Sequence, residues 1–148
     1  VLRAVKKTDL YSYGGPIVFP ILRGIESLSR GANTMPYGTK KDEYSIEHIF
    51  PQTSNTSTAW TDDLSSWGVS LIAMQERTHV LGNLTAVTNY DNKKNARKRF
   101  KIKKGLIKDC APLKLNNSVL NQEDWTSKVV DERTILLAKQ ALQKWPMG

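Results

Sequence analysis

Two short β-prone runs set the terms for any fold of this chain. The first, Tyr44-Ser-Ile-Glu-His-Ile-Phe50, is β-branched and aromatic and ends at Pro51, which has no N–H to offer a ladder. The second, Val80 to Thr88, is followed by polar, turn-forming Asn89-Tyr-Asp-Asn92 and a basic stretch with helical spacing. The implied order is strand, loop, strand, helix. Glu47 and His48 fall at the end of the first strand. Successive strand side chains point to opposite faces, so those two converge on one point only where the strand twists or bends.

Helical periodicity surrounds the two runs. Residues 1 to 16 show little of it, and Gly14-Gly15-Pro16 reads as a turn. Val18, Ile21, Leu22, Ile25 and Leu28 then predict a packing helix over about 17–30, stopped at Gly31. A loop of Gly, Asn, Thr and Pro leads from there to the first strand. Gln52 to Thr58 offers nothing apolar and reads as a surface loop. Trp60, Leu64 and Trp67 predict a short helix ended by Gly68, and Leu71 to Arg77 another. Both tryptophans are read as core filling, with stacking on a nucleobase the lesser reading. From Asn92 a helix is expected with Ala96, Phe100 and Ile107 inward and the bases outward, broken by Gly105 before Ile107 is reached. After a connector from Pro112 to Asn121, Trp125, Val129, Ile135 to Ala138, Ala141, Leu142 and Trp145 predict a long amphipathic helix over about 125–145.

The fold class is therefore α+β, in one domain: 148 residues can bury a single core. No apolar run is long enough to cross a bilayer. The first residues, Val-Leu-Arg-Ala, have neither an initiator Met nor the hydrophobic segment of a signal peptide, which suggests a piece of a longer protein. Cys110 is the single cysteine, so no internal disulfide can form and a reducing cytoplasm is the simpler setting. Paired-cysteine zinc sites are excluded by the same count.

The net charge of +8 is concentrated. Eight of the 22 bases lie between Lys93 and Lys104 with no acid among them, leaving 14 bases to balance all 14 acids elsewhere. Such a stretch is read as a phosphate-binding surface rather than an ordinary solvated face.

The pattern Glu47-His48-Ile-Phe-Pro51-Gln52, then His79-Val-Leu81-Gly-Asn83-Leu-Thr85, then Asn92, then Asn95 and Phe100 among lysines, resembles the GmrSD-type C-terminal HNH nuclease domain. That domain is a branch of the ββα-metal (His-Me finger) nucleases of bacterial modification-dependent restriction and phage-defence proteins. Trp125, Glu132-Arg133 and the closing helix to Trp145 echo the end of such domains. The resemblance covers roughly two thirds of the chain. It implies a two-stranded antiparallel hairpin plus helix, about 44–105, embedded among packing helices. It also implies DNA as substrate and a sensor or nucleotide-hydrolysing domain N-terminal to this one.

By that resemblance His48 is the general base of phosphodiester hydrolysis, with an unperturbed imidazole that titrates near pH ~6.5. Glu47 and Asn92 offer hard oxygen ligands that suit Mg²⁺ or Mn²⁺. Glu47 stands where many members carry Asp, and its longer side chain favours a water-mediated contact. Asp91 competes with Asn92 but reads better as a solvent-facing turn carboxylate. Asn83, the middle Asn of the catalytic set, is expected to brace the loop and position the His48 backbone. His79 bonds a backbone group or meets a phosphate, and Asn95 caps the helix or supports the ligand shell. Lys93, Lys94, Arg97 and Lys98 are the expected phosphate contacts at a helix start whose free amides favour anions.

Phosphate contacts carry no base information, so weak sequence preference is expected, with target choice in another domain. Two other readings stand beside the endonuclease: a nucleic-acid-binding module with an inactive site, and an HNH enzyme that cleaves RNA. A zinc site of His48, His79 and Cys110 has poor spacing and too few ligands.

Overall fold

In a computed structural model of the chain, residues 9–30, 44–52, 58–88, 97–110 and 113–147 are described. β1 (Tyr44–His48) and β2 (Leu84–Thr88) pair antiparallel, with Tyr44 opposite Thr88 and His48 opposite Leu84. Alternation sorts their side chains onto two faces. Tyr44, Ile46, Leu84 and Ala86 pack against Val18, Leu22 and Ile25 of helix α1 (Leu10–Arg30). Val87 turns the other way, into a second core with Trp60, Leu64, Phe100 and Trp125. His48 therefore falls on the α1 face and Glu47 on the opposite one.

Helix α1 begins earlier than expected. It runs through Gly14, Gly15, Pro16 and Pro20 without the turn that the sequence suggests. Each proline removes one i→i−4 bond. The two stand four residues apart and are both exposed, so the bonds they remove fall on one wet stripe where water can serve the carbonyls. Leu28 is exposed rather than inward. The inward face also carries Glu26, whose carboxylate accepts from the N–H groups of Lys114 (3.0 Å) and Leu115 (2.8 Å) and from Arg30 Nε (2.6 Å). That carboxylate fixes the connector, a 3₁₀ turn at Lys114–Asn116 and the short α5 (Asn117–Leu120).

Between the strands lie α2 (Thr58–Ser66) and α3 (Leu71–Gln75). Gly68 ends the first at φ +69°, a conformation that glycine adopts without strain. Ser70 caps the second by accepting from Ala73 N–H at 3.1 Å. Trp60 is fully buried, as expected of a core residue, and Trp67 packs against that core.

The second β-prone run is a strand only in its latter part. Leu81–Asn83 form a 3₁₀ turn, and Val80 makes an isolated bridge to Asp9. The reason lies in helix α6 (Ser127–Lys144), capped by Thr126, whose side chain accepts from Val129 N–H at 3.2 Å. Thr134 Oγ1 accepts from Gly82 N–H at 2.9 Å, and Arg133 Nη1 donates to Gly82 O (2.8 Å) and Leu84 O (2.7 Å). These contacts take groups that a longer ladder would need. They also rotate α6, so that Val130, Arg133, Thr134 and Leu137 face inward while Leu142 and Trp145 are exposed. Burial pushes the Arg133 guanidinium down to about 9, and its carbonyl partners stand in for a counter-ion.

Helix α4 spans Phe100–Cys110. Residues 97–99, expected to be helical, precede it. Trp60 Nε1 takes the Lys98 carbonyl at 2.9 Å, and Arg99 reaches out to Asp63 (Nε to Oδ2, 3.2 Å) while its own carbonyl accepts from Ile102 and Lys103 N–H. Gly105 does not break the helix; it sits on the exposed side with open space around it. Of the bases expected to point outward, Lys103 instead lies inward between Phe100 and Ile107.

Candidate active site

His48 stands where β1 ends and the chain turns toward Pro51. The turn is held by Asn83, which is fully buried. Asn83 Oδ1 accepts from Phe50 N–H (2.8 Å) and from Trp125 Nε1 (3.0 Å). Its Nδ2 donates to Phe50 O (2.9 Å) and Thr78 O (2.8 Å). The side-chain amide thus grips Phe50 by both backbone groups, and the Asn83 main-chain carbonyl accepts from Ile49 N–H at 3.0 Å, next to His48. Asn83 is the residue expected to brace this loop and position the His48 backbone; its side chain meets Phe50, Thr78 and Trp125.

His48 is 6% exposed, and its ring meets side chains at both nitrogens. Nε2 lies 3.0 Å from His79 Nδ1, and Nδ1 lies 3.3 Å from Gln52 Nε2. Tyr11 of α1 stacks on His79, with centroids 5.4 Å apart and planes 10° apart. The same ring meets His48 edge-on at 4.6 Å. His79 is placed by its neighbours in sequence: Arg77 binds Asp131 of α6 through Nε (2.9 Å) and Nη2 (3.1 Å), and Val80 bridges Asp9. Burial pushes His48 down to about 3; His79 and Lys103 add to the shift and Asp9 opposes it. The imidazole is accordingly neutral at physiological pH and can accept a proton.

On the other face, Lys103 Nζ donates to Glu47 Oε1 (2.6 Å), His48 O (2.6 Å) and Ile49 O (2.9 Å). Burial raises the Glu47 carboxyl and lowers the Lys103 ammonium, and their pairing works against both shifts. The bend that would bring Glu47 and His48 to one ion is absent: the two side chains leave β1 in opposite directions. Asn92, Lys93, Lys94 and Asn95 lie outside the described residues. Arg97 and Lys98 are exposed just ahead of α4. Among the described residues no three His, Cys, Asp or Glu side chains gather as a metal group.

Tyr11, Lys103 and Arg133 were not among the expected site residues. Lys103 and Arg133 carry a signal, since each sits at helical spacing between apolar residues that are themselves buried: Phe100 and Ile107, and Val130 and Leu137. Tyr11 carries none, because its contact is made across the fold.

The chain matches the family of GmrSD restriction endonucleases, C-terminal domain, over residues 1–140. It belongs to that family, and is a nuclease domain of the restriction-endonuclease type. Among curated proteins and solved structures, none matches it. No helix among the described residues is long and apolar enough to cross a membrane.

Proposed function

We propose that this domain is a metal-dependent DNA endonuclease of the HNH kind, the effector part of a restriction or anti-phage protein. The observation that carries the reading is the His48 ring, held at both nitrogens beside a backbone turn that Asn83 grips. A base for water needs a lone pair in a fixed direction, which the contacts at both ring nitrogens give His48; the burial that keeps the ring neutral also weakens it as a base, and a phosphate anion beside Nδ1 would raise its affinity for the proton. Its Nδ1 faces the exposed Gln52, whose amide can yield that position to a water. The proton leaves the water for His48 Nδ1 as the water oxygen attacks the phosphorus; the bond from phosphorus to one sugar oxygen breaks, and that oxygen leaves with the electron pair and takes a proton from solvent. Arg97 and Lys98, with Lys93 and Lys94, are proposed to hold phosphates and so fix the strand without reading its bases.

A divalent cation, Mg²⁺ or Mn²⁺, would stabilise charge on the phosphate and on the leaving oxygen. Glu47 and Asn92 remain the residues proposed to hold it. As placed, however, Glu47 does not fit an ion shared with His48, since its carboxylate is enclosed with Lys103. It would have to leave that partner. An N-terminal sensor domain in the same protein is proposed to choose the target.

Supercoiled plasmid incubated with the protein and Mg²⁺, Mn²⁺ or EDTA tests the reading, beside RNA of the same sequence. Conversion to open-circular or linear DNA that EDTA stops supports it, and the product form tells nicking from double-strand cutting. Cleavage of RNA alone would favour the RNA enzyme, and binding without cleavage the inactive module.

A further inference from the structure

We propose that His79 is a positioning residue for the reaction: it holds His48 in the tautomer that presents Nδ1 to the substrate. The inference rests on the endonuclease reading for its consequence in rate, but not for its geometry.

The Gln52 amide nitrogen faces His48 Nδ1 at 3.3 Å and can only donate, so Nδ1 is the acceptor and carries no proton. The proton of a neutral His48 is then on Nε2, which lies 3.0 Å from His79 Nδ1. Two N–H groups cannot face each other at that distance, so His79 Nδ1 accepts and His79 keeps its own proton on Nε2. Tyr11 stacks on His79 and meets His48 edge-on, holding the two rings nearly perpendicular to each other, at 85°. His79 therefore meets neither a backbone group nor a phosphate through Nδ1. It meets the base.

This arrangement matters for catalysis because a histidine base needs its second nitrogen anchored if the first is to keep a fixed direction. Deprived of an acceptor at Nε2, the His48 ring can rotate and exchange tautomers, and Nδ1 points at the reacting water for only part of the time. The anchor comes from a side chain that the turn after α3 delivers, and α1 packs over it. The N-terminal helix thereby becomes part of the site.

The test uses His79→Leu, which removes the acceptor, and His79→Asn, whose Oδ1 can replace Nδ1. Two readouts are taken: kcat and KM for plasmid cleavage, and the protonation of the His48 ring nitrogens by long-range ¹H–¹⁵N NMR. Wild type is expected to show His48 protonated on Nε2. His79→Leu is expected to lower kcat about 10- to 100-fold with KM little changed, and to average the two His48 tautomers, while His79→Asn restores most of both. A wild-type His48 protonated on Nδ1 would overturn the proposal. So would a folded His79→Leu protein with wild-type kcat, or a His79→Asn protein that rescues neither readout. If wild type cleaves nothing with any metal yet shows the Nε2 tautomer, the endonuclease reading fails and the role of His79 in rate fails with it, while the tautomer that His79 holds stands. Should His79→Leu fail to fold, the wild-type spectrum and His79→Asn still decide.

Discussion

Lys103 Nζ lies 2.6 Å from Glu47 Oε1 inside the protein, and the same ammonium donates to the carbonyls of His48 and Ile49. One side chain of α4 thus binds the residue before the proposed base, the base itself and the residue after it. A lysine that is 1% exposed would ordinarily be a liability. Here its acceptors are all in place, and it locks the end of β1 onto α4.

Replacing Lys103 by Met leaves a buried carboxylate and two carbonyls without their donor. The expected loss is about 3–5 kcal/mol by urea unfolding. Replacing Glu47 and Lys103 together by Met removes the charge imbalance, and the double variant is expected to be more stable than Lys103→Met alone. Additive losses would show that the pair is not coupled.

Asn83→Ala removes an amide that makes four hydrogen bonds. At about 1 kcal/mol each, with stranded partners costing more, a loss of roughly 4 kcal/mol is expected. Asn83→Asp is a sharper case, since a carboxylate cannot donate to the Phe50 and Thr78 carbonyls and is expected to rescue little. Thermal melts of the three proteins would show this order; an Asn83→Asp protein as stable as wild type would contradict it.

Two glycines should respond with opposite signs. A methyl at Gly82 would stand 2.0 Å from the Val130 carbonyl oxygen, on backbone that α6 cannot easily move. Gly82→Ala is expected to cost about 1–3 kcal/mol or more. Gly105 has open space and lies inside α4, so Gly105→Ala is expected to gain about 0.5–1 kcal/mol from helix propensity. Denaturant midpoints of both variants check the pair.

Because the folded protein holds His48 neutral down to about pH 3, the unfolded chain binds one more proton there between that value and its ordinary ~6.5. Stability should therefore fall as pH drops through this window, with a contribution from His48 of about 1.4 kcal/mol per pH unit. Unfolding of wild type and His48→Gln from pH 7 to 5 isolates the effect. Parallel curves would mean that His48 is not buried neutral.

Much of this was legible in the sequence, where local pattern and local structure agree. The apolar spacing of Val18, Leu22 and Ile25 gives α1, the run that stops at Pro51 gives β1, and Gly68 and Ser70 mark the helix ends between which the chain turns. The expectations that failed did so where tertiary contacts override local preference. Gly14, Gly15 and Pro16 read as a turn but lie in a helix whose lost bonds face water. Leu81–Asn83 read as strand, but Arg133 and Thr134 take the backbone groups concerned. Lys103 was counted with the phosphate-binding bases because a one-dimensional charge run does not show which member turns inward. The separation of Glu47 from His48 follows from strand alternation, which the sequence already contained as a condition. The contact of Tyr11 with the two histidines had no local signature at all.

His48 is proposed to take the proton in phosphodiester hydrolysis. The most direct test is single-turnover cleavage of plasmid DNA by wild type and His48→Ala, with folding and DNA affinity measured on the same samples. His48→Ala is expected to fold, to bind DNA as wild type does and to cleave it about 10²- to 10⁴-fold more slowly. A folded His48→Ala protein that cleaves at the wild-type rate would contradict it.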